Sequence, residues 1–476
     1  MKKKKISFVL ILSATVCALA FFLLLFFHGM CNKQERHIYS DRDYVGMADF
    51  LKKSGENHDA LYHYRRALKI NPRNQKANVA LALDYYSKQE NDRAIWHLQQ
   101  IIAGGGCQNS AVFFRLGFAQ YNQGYFYEAI KSLQEAIKLR PKNPQSYKWL
   151  GFSYLTIGEL DKGHEAHEKA YRMKAEKDVR NYEWEGSDLR GKTLFIIDNI
   201  GMGDIFCFIR YAKLFKQMGA KVIFGVREAM IPILSTFPFI DECIPRIAKP
   251  SGSRLAFAKM PQFDEILCID RIPAAIHQYA PQAKVEPPYL EADPKLIAQW
   301  ADSLSQDSNF KVGICWDARR YKNLKTGMFE KTRRAMPLHY FYPLGNIKGV
   351  SLYSLQQMNG QDQLLSTPSG FKINSFGETF DKKHGSFMDT AAVMKNLDLV
   401  ITVDTSIAHL AGALGVPVWV ILPYVPDWRW LLGRADTDLY PTMRLFRQKE
   451  LGDWESAMKE VVVRLASIIA DAPDFG

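Results

Sequence analysis

The chain has 476 residues, a hydrophobic fraction of 47%, a charged fraction of 24% and a formal charge of +12. The length allows about three globular units, and the composition excludes a mostly disordered or collagen-like chain. The positive balance suits anionic partners such as lipid, phosphate or nucleic acid, without choosing among them. The seven cysteines form no CxxC pair, which speaks against a zinc ribbon, a thioredoxin-type site or a disulfide scaffold.

Lys2 to Lys5 form a basic run, and the 22 residues from Ile6 to Phe27 carry no charge. About 20 apolar residues cross a hydrocarbon core as a helix. Residues 1–36 are therefore expected to be a membrane anchor and its flank. A cleaved signal peptide competes with that reading. Its small-x-small site would be Ala18-Leu19-Ala20, yet Phe21 to Phe27 continue the apolar run.

Residues 37–180 carry an internal repeat: Ala60, Ala94, Ala129 and Gly163 stand 34, 35 and 34 residues apart. Met47-Ala48, Leu81-Ala82, Leu116-Gly117 and Leu150-Gly151 keep the same spacing, and Pro72 and Pro141 close two units. Small residues let paired helices approach closely, and proline stops the second helix of a pair. The pattern resembles tetratricopeptide repeats over roughly residues 41 to 176. Such units stack into a superhelix whose concave face suits a peptide or protein partner; a plain spacer is the alternative.

The remainder reads as two α/β halves, residues 186–295 and 305–470, joined near Glu286-Pro287-Pro288. Buried strands are expected at Thr193–Asp198, Lys221–Val226 and Glu265–Ile269 in the first half, with a helix from Ile205 to Met218. The second half offers strands at Val312–Trp316, Ser351–Leu355, Leu397–Val403 and Val418–Leu422. Alternation of strand and helix implies parallel sheets, and a cleft between two halves is a usual ligand site.

Context separates three motifs. Gly186 to Thr193 fits GxxxxGK[ST] by letters, but a phosphate loop must follow a strand and open a helix. Here the strand comes afterwards, so the match is accidental. Gly201-Met202-Gly203 does follow a strand and precede a helix, but Phe206 replaces the third glycine of a dinucleotide fingerprint. Asp204 opens that helix, as an N-terminal cap or as a cleft-facing base. In Asp404-Thr405-Ser406-Ile407-Ala408-His409 a strand ends and a helix begins. Hydroxyls and free N–H groups at such a start suit a phosphate. His409 is either a ligand-facing residue or a buried histidine.

Taken together, Ile197-Asp198-Asn199-Ile200-Gly201-Met202-Gly203-Asp204 and Asp404 to His409 resemble the family 9 glycosyltransferases, the heptosyltransferase group. The resemblance covers about residues 190 to 448 and includes Asp389 to Ala392, Asn396 to Ile401, Pro426-Asp427-Trp428-Arg429-Trp430 and Arg444 to Gln448. It implies a GT-B fold of two Rossmann-like halves and inverting transfer from a nucleotide-diphosphate sugar to a glycan or protein acceptor. By the resemblance, Asp204 matches the general base, and Gly203, Asp404, Thr405, Ser406, Ile407 and His409 belong to donor binding. Arg334 matches a basic residue before a Pro-Leu pair, although Arg319 to Lys325 departs from the family pattern.

The chemistry is compatible, since glycosyl transfer needs a base for the acceptor and positive charge or N–H dipoles for the leaving diphosphate. Asp317 to Arg334 holds seven Lys/Arg and two acids, a run able to close over a diphosphate or to stand as a solvated loop. Trp316, Tyr424, Trp428 and Trp430 are stacking candidates or core. The DxD triplets Asp41-Arg42-Asp43 and Asp436-Thr437-Asp438 follow no apolar strand, so neither metal nor cofactor is expected. The competing function is a non-catalytic repeat scaffold that holds a nucleotide sugar. A nicotinamide oxidoreductase is undermined by Phe206, and no nucleic-acid module occurs. Lys2 to Lys5 would place the catalytic half outside the membrane, whereas supply of a nucleotide sugar favours the cytosolic face.

Overall fold

The computed structural model describes residues 39–105, 107–174, 181–246, 260–318, 321–322, 329–330 and 333–471. The chain divides into two compact units, residues 1–107 and 108–476.

The first unit holds two helical hairpins, α1 (Asp41–Lys53) with α2 (Asn57–Ile70) and α3 (Gln75–Ser87) with α4 (Asn91–Ala103). The α1 start is capped reciprocally: the Asp43 N–H donates to Ser40 Oγ at 3.3 Å and the Ser40 N–H donates to Asp43 Oδ2 at 2.8 Å. Ala48, Ala60, Tyr64, Ala67, Ala77 and Leu81 form its core. Buried His97 bonds Asn78 Oδ1 through Nδ1 at 2.8 Å.

The second unit opens with two more hairpins, α5 (Ser110–Gln123) with α6 (Phe126–Leu139) and α7 (Pro144–Thr156) with α8 (Leu160–Arg172). The repeated small residues sit where paired helices touch. A Cβ added at Gly117 would stand 2.6 Å from Leu133 Cγ, and one at Gly163 would stand 2.6 Å from Leu155 Cδ2. A larger residue there would force the hairpin apart. These hairpins share a unit with the α/β part because side chains bind them to it. Arg271 reaches Glu168 on α8 at 2.8 Å and also pairs with Glu183. His277 meets Asp161 at 2.6 Å.

The first α/β half contains β1 (Thr193–Ile197), α9 (Met202–Phe208), α10 (Tyr211–Gln217), β2 (Lys221–Arg227), β3 (Glu242–Arg246), β4 (Glu265–Cys268) and α11 (Ile272–Tyr279). All pairings are parallel, in the order β3-β2-β1-β4. The helix expected from Ile205 to Met218 is two helices. At the break, buried Arg210 donates to the Cys207 carbonyl at 2.9 Å and to the Leu439 carbonyl of the other half at 3.0 Å. After α12 (Pro294–Leu304), the second half contains β5 (Phe310–Cys315), a two-stranded antiparallel pair β6 (Tyr321–Lys322) and β7 (Phe329–Glu330), β8 (Val350–Ser354), α13 (Met388–Met394), β9 (Leu399–Val403), α14 (Ser406–Ala413), β10 (Val418–Leu422), β11 (Met443–Arg447) and α15 (Trp454–Asp471). Its main sheet is parallel in the order β11-β10-β9-β5-β8. The Pro-rich joint is packed rather than loose: the Tyr289 and Leu290 N–H groups both donate to the Ala413 carbonyl, at 3.0 and 3.2 Å.

The membrane placement is corrected. The anchor expected over residues 6–27 lies outside the described residues, and among the described residues no helix is long and apolar enough to cross a membrane. No described element supports a single-pass anchor.

Candidate functional site

Each sheet has one place where the chain reverses its direction of strand addition, between β1 and β4 and between β5 and β9. In open parallel sheets the crevice beyond the strand ends at such a reversal is where ligands bind. All the expected site residues follow β1 or β9, except Arg334, which follows β7.

In the first half, β1 runs into fully buried Asp198. Its carboxylate accepts from Arg227 Nε and Nη2, both at 2.7 Å, and from the Ile200 N–H at 3.2 Å. The chain turns at Gly201 into α9. Asp204, third residue of that helix, accepts from the Gly201 N–H at 3.1 Å through Oδ2, so it does cap the helix. Its other oxygen pairs with Arg429 Nη1, which arrives from the second half. Burial works to raise the Asp204 carboxyl, but the Arg429 charge and hydrogen bond and the Gly201 N–H together hold it below the ordinary aspartate value. Asp204 is thus ionised at neutral pH.

Gly203 serves the contact between α9 and α14. A Cβ there would lie 3.0 Å from His409 Cδ2 and 3.3 Å from Ser406 Cα. The starts of the two helices therefore meet directly across the halves.

In the second half, Asp404 follows β9 and is buried. Arg334 Nη1 stands 3.4 Å from its Oδ2, while Asp404 Oδ1 has no hydrogen-bond partner among the described residues. Thr405 caps α14 by accepting from the Ile407 N–H at 3.3 Å. The Ile407 side chain belongs to the core, and Ser406 is half-buried. His409 is buried: Nδ1 bonds the Tyr440 hydroxyl at 3.0 Å, and the ring stacks on Trp430 with centroids 5.1 Å apart. Burial, with Arg429 nearby, pushes its pKa down to about 3, so the imidazole is neutral.

Arg429, on a single helical turn Trp428–Trp430, is the hub. Besides Asp204 it pairs with Asp427, Nε to Oδ1 at 3.0 Å. Burial raises the Asp427 carboxyl and the Asp404 and Asp204 charges push it the same way, against Arg429. One arginine therefore faces three carboxylates from two halves of the sequence. Asp427 and Arg429 were not among the expected site residues. Their signal was the Asp-Trp-Arg triplet beyond an apolar strand, legible only once residues 204 and 429 are known to meet.

The repeat helices reach this hub. Val425 packs into the apolar cluster of Tyr121, Phe126 and Leu150, and α7 lies against the Trp428–Trp430 turn.

Other motifs resolve simply. Gly186 to Lys192 precedes β1, which begins at Thr193, and Lys192 pairs with Glu265 at 2.8 Å. Asp436 and Asp438 clasp Arg434 at 2.8 and 2.7 Å. Asp41 accepts from Asn71 and Asn74 at 2.9 and 2.8 Å. Trp316 and Trp430 are core, whereas Tyr424 is exposed. Most of the basic run after Asp317 lies outside the described side chains. Among the described residues, no group of three or more His, Cys, Asp or Glu is arranged to hold a metal ion.

The family model for the TPR repeat matches residues 119–158. Protein FlbA of Caulobacter vibrioides is 26% identical over 380 residues, covering 76% of this chain and 62% of FlbA, so the chain spans less than two thirds of that relative. Among solved structures, MamA of AMB-1 is 28% identical with a TM-score of 0.27, covering 28% of this chain and 79% of that one. MamA from Desulfovibrio magneticus RS-1 is 18% identical with a TM-score of 0.26, covering 29% and 78%. YrrB, described as a TPR protein with an unusual peptide-binding site, is 20% identical with a TM-score of 0.26, covering 28% and 68%. The chain is a repeat-containing protein similar to FlbA, with a parallel α/β part.

Proposed function

We propose that the α/β part has the GT-B organisation and transfers a sugar from a nucleotide-diphosphate donor to a glycan or protein acceptor. The observation that carries this reading is the meeting of Asp204 and Arg429 where the two strand-end crevices face each other. In this reaction the acceptor oxygen forms a bond to the anomeric carbon from the face opposite the leaving group. The bond to the diphosphate breaks with its electron pair, and the acceptor proton passes to a carboxylate. Asp204 is ionised and stands at the end of the first strand, so it serves as that base. The start of α14, with Thr405 and Ser406, supplies N–H groups to the diphosphate. Arg334 adds charge there, and the bare Asp404 oxygen takes a sugar hydroxyl.

Two residues act indirectly. Neutral His409, locked between Trp430 and Tyr440, positions α14. Gly203 lets α9 approach it. Arg429 holds Asp204 in place without donor and can transfer part of its charge to an arriving phosphate.

The scaffold reading also has an observation in its favour: Asp204 makes both bonds that a capping, ion-paired residue would make. A thermal-shift screen of nucleotide sugars with the full chain separates the two at the level of turnover. A donor that raises the melting temperature and is consumed when acceptor is supplied supports the enzyme. Protection without consumption supports the scaffold, and the absence of protection by any nucleotide sugar removes both.

A further inference from the structure

A cavity of about 300 Å³ lies beside the repeat hairpin α5–α6, lined by Phe126 and Tyr127 from α6 and by Tyr424, Leu432, Arg447 and Gln448 from the second α/β half. Tyr424 follows β10 and Gln448 follows β11, so the cavity opens at the ends of two strands that carry none of the donor-site residues.

Gln448 is 6% exposed. Its Oε1 accepts from the Tyr424 N–H at 3.0 Å and from the Gly452 N–H at 3.2 Å. Two main-chain donors fix which end of the amide is oxygen. Nε2 therefore points the other way, and it has no partner among the described residues. A buried donor without an acceptor is costly and uncommon in a folded protein.

Arg447 beside it donates to the carbonyls of Arg434, Leu431 and Trp430, at 2.8, 3.0 and 2.6 Å. No carboxylate pairs with it among the described residues, whereas neighbouring Arg434 is neutralised by Asp436 and Asp438. Around this charge and the free amide donor, Tyr127, Tyr424 and Leu432 present exposed ring and aliphatic surface, Tyr127 at 67%. Rings with a polar tip are enriched at protein interfaces.

We propose that this cavity docks an acidic polypeptide segment. An aromatic or large apolar side chain fills it, a main-chain carbonyl accepts from Gln448 Nε2, and a neighbouring carboxylate faces Arg447. A free sugar fits less well, because its several hydroxyls would face Phe126 and Leu432 with a single spare donor to satisfy them. The docking site is distinct from the proposed donor site, but it shares the 424–433 segment with Arg429, so an occupant would sit on the loop that holds Asp204.

The test uses the full chain and a fluorescein-labelled decapeptide of alternating glutamate and phenylalanine, read by anisotropy. The lysine counterpart and methyl β-glucopyranoside are the comparison arms. Gln448→Glu keeps the acceptor oxygen for Tyr424 and Gly452 but replaces the free donor with an acceptor. It should weaken acidic-peptide binding at least about tenfold. Leu432→Glu, at an exposed position, should weaken it similarly and decides the matter if the first variant does not fold. The proposal is overturned if the acidic peptide does not bind, or if both variants bind it like the parent chain. Equal binding of the lysine peptide, or displacement of the acidic peptide by the glucoside, also overturns it. No sugar donor is present, so these outcomes leave the transfer reading to its own experiment.

Discussion

Each α/β half places a helix start and a buried carboxylate after a strand that flanks the reversal in its sheet, yet the two neutralise their charge differently. In the first half Asp198 is matched within its own sheet by Arg227, with two 2.7 Å bonds. In the second half, among the described residues, Asp404 has Arg334 at 3.4 Å and a second oxygen without a partner. Between them, Asp204 of the first half depends on Arg429 of the second. A carboxylate satisfied locally is part of the scaffold. One left short of donors, or satisfied only across a seam, has bonding capacity that a ligand can use or redistribute.

The largest way to break this comparison is Arg429→Ala, which strands Asp204 and Asp427 together. Removing one partner of a buried ionic cluster costs about 3–5 kcal/mol, to be read by denaturant unfolding at neutral pH. The loss should shrink as pH falls into the carboxylate range, because protonation removes the uncompensated charge. Arg227→Ala should cost less, about 1.5–3 kcal/mol for the lost charged hydrogen bonds, since it strands one carboxylate rather than two and Asp198 keeps the Ile200 N–H. It should leave nucleotide-sugar protection intact, whereas Arg429→Ala should alter it.

Much of this architecture was legible in the sequence, for physical reasons that also explain the gaps. The repeat spacing reports contacts within and between neighbouring hairpins, so Ala60, Ala94, Ala129 and Gly163 fall on α2, α4, α6 and α8. Central strands such as Val418–Leu422 are buried on both faces and read as continuous apolar runs. The missed strand β3 is an edge strand containing Pro245, a residue tolerated there because an edge needs fewer donors. The missed strand β11 is an edge of the second sheet, and Arg444 and Arg447 interrupt its apolar residues. The site was legible only as far as its local motifs. Asp204 and the Asp404–His409 loop stand at strand ends, which a motif can mark. Arg429 pairs with a residue 225 positions away, and no local pattern encodes that. Cap and base could not be separated by sequence because Asp204 has both the cap bond and the cleft position.

Gly203→Ala sharpens the comparison at the seam. Its Cβ would press on His409 and on the Ser406 backbone, so either helix must shift. A loss of about 1–3 kcal/mol is expected, whereas Gly433, with nothing within 4 Å of an added Cβ, should tolerate the change apart from the strain of its positive φ.

The smallest effect per step is in pH dependence. His409 is held near pKa 3, below its unfolded value near 6.5. Its contribution to stability is therefore complete above about pH 6.5 and is lost as pH falls towards 3, at up to about 1.4 kcal/mol per pH unit. His97 in the first unit, lowered to about 4, behaves with the same sign. Replacing His409 by Gln should flatten the acid limb of the second unit's unfolding and leave that of the first unchanged, a difference that unit-resolved hydrogen exchange would detect.

The most direct measurement of the central claim is single-turnover sugar transfer by Asp204→Asn, with a donor found by the thermal-shift screen. Asparagine retains the size and the cap to the Gly201 N–H but cannot accept a proton. Transfer should fall about 10²–10⁴-fold while donor affinity stays close to that of the parent chain, and the melting temperature should fall because the Asp204–Arg429 ion pair is lost. Transfer at the parent rate would contradict the assignment and leave Asp204 as a helix cap paired with Arg429.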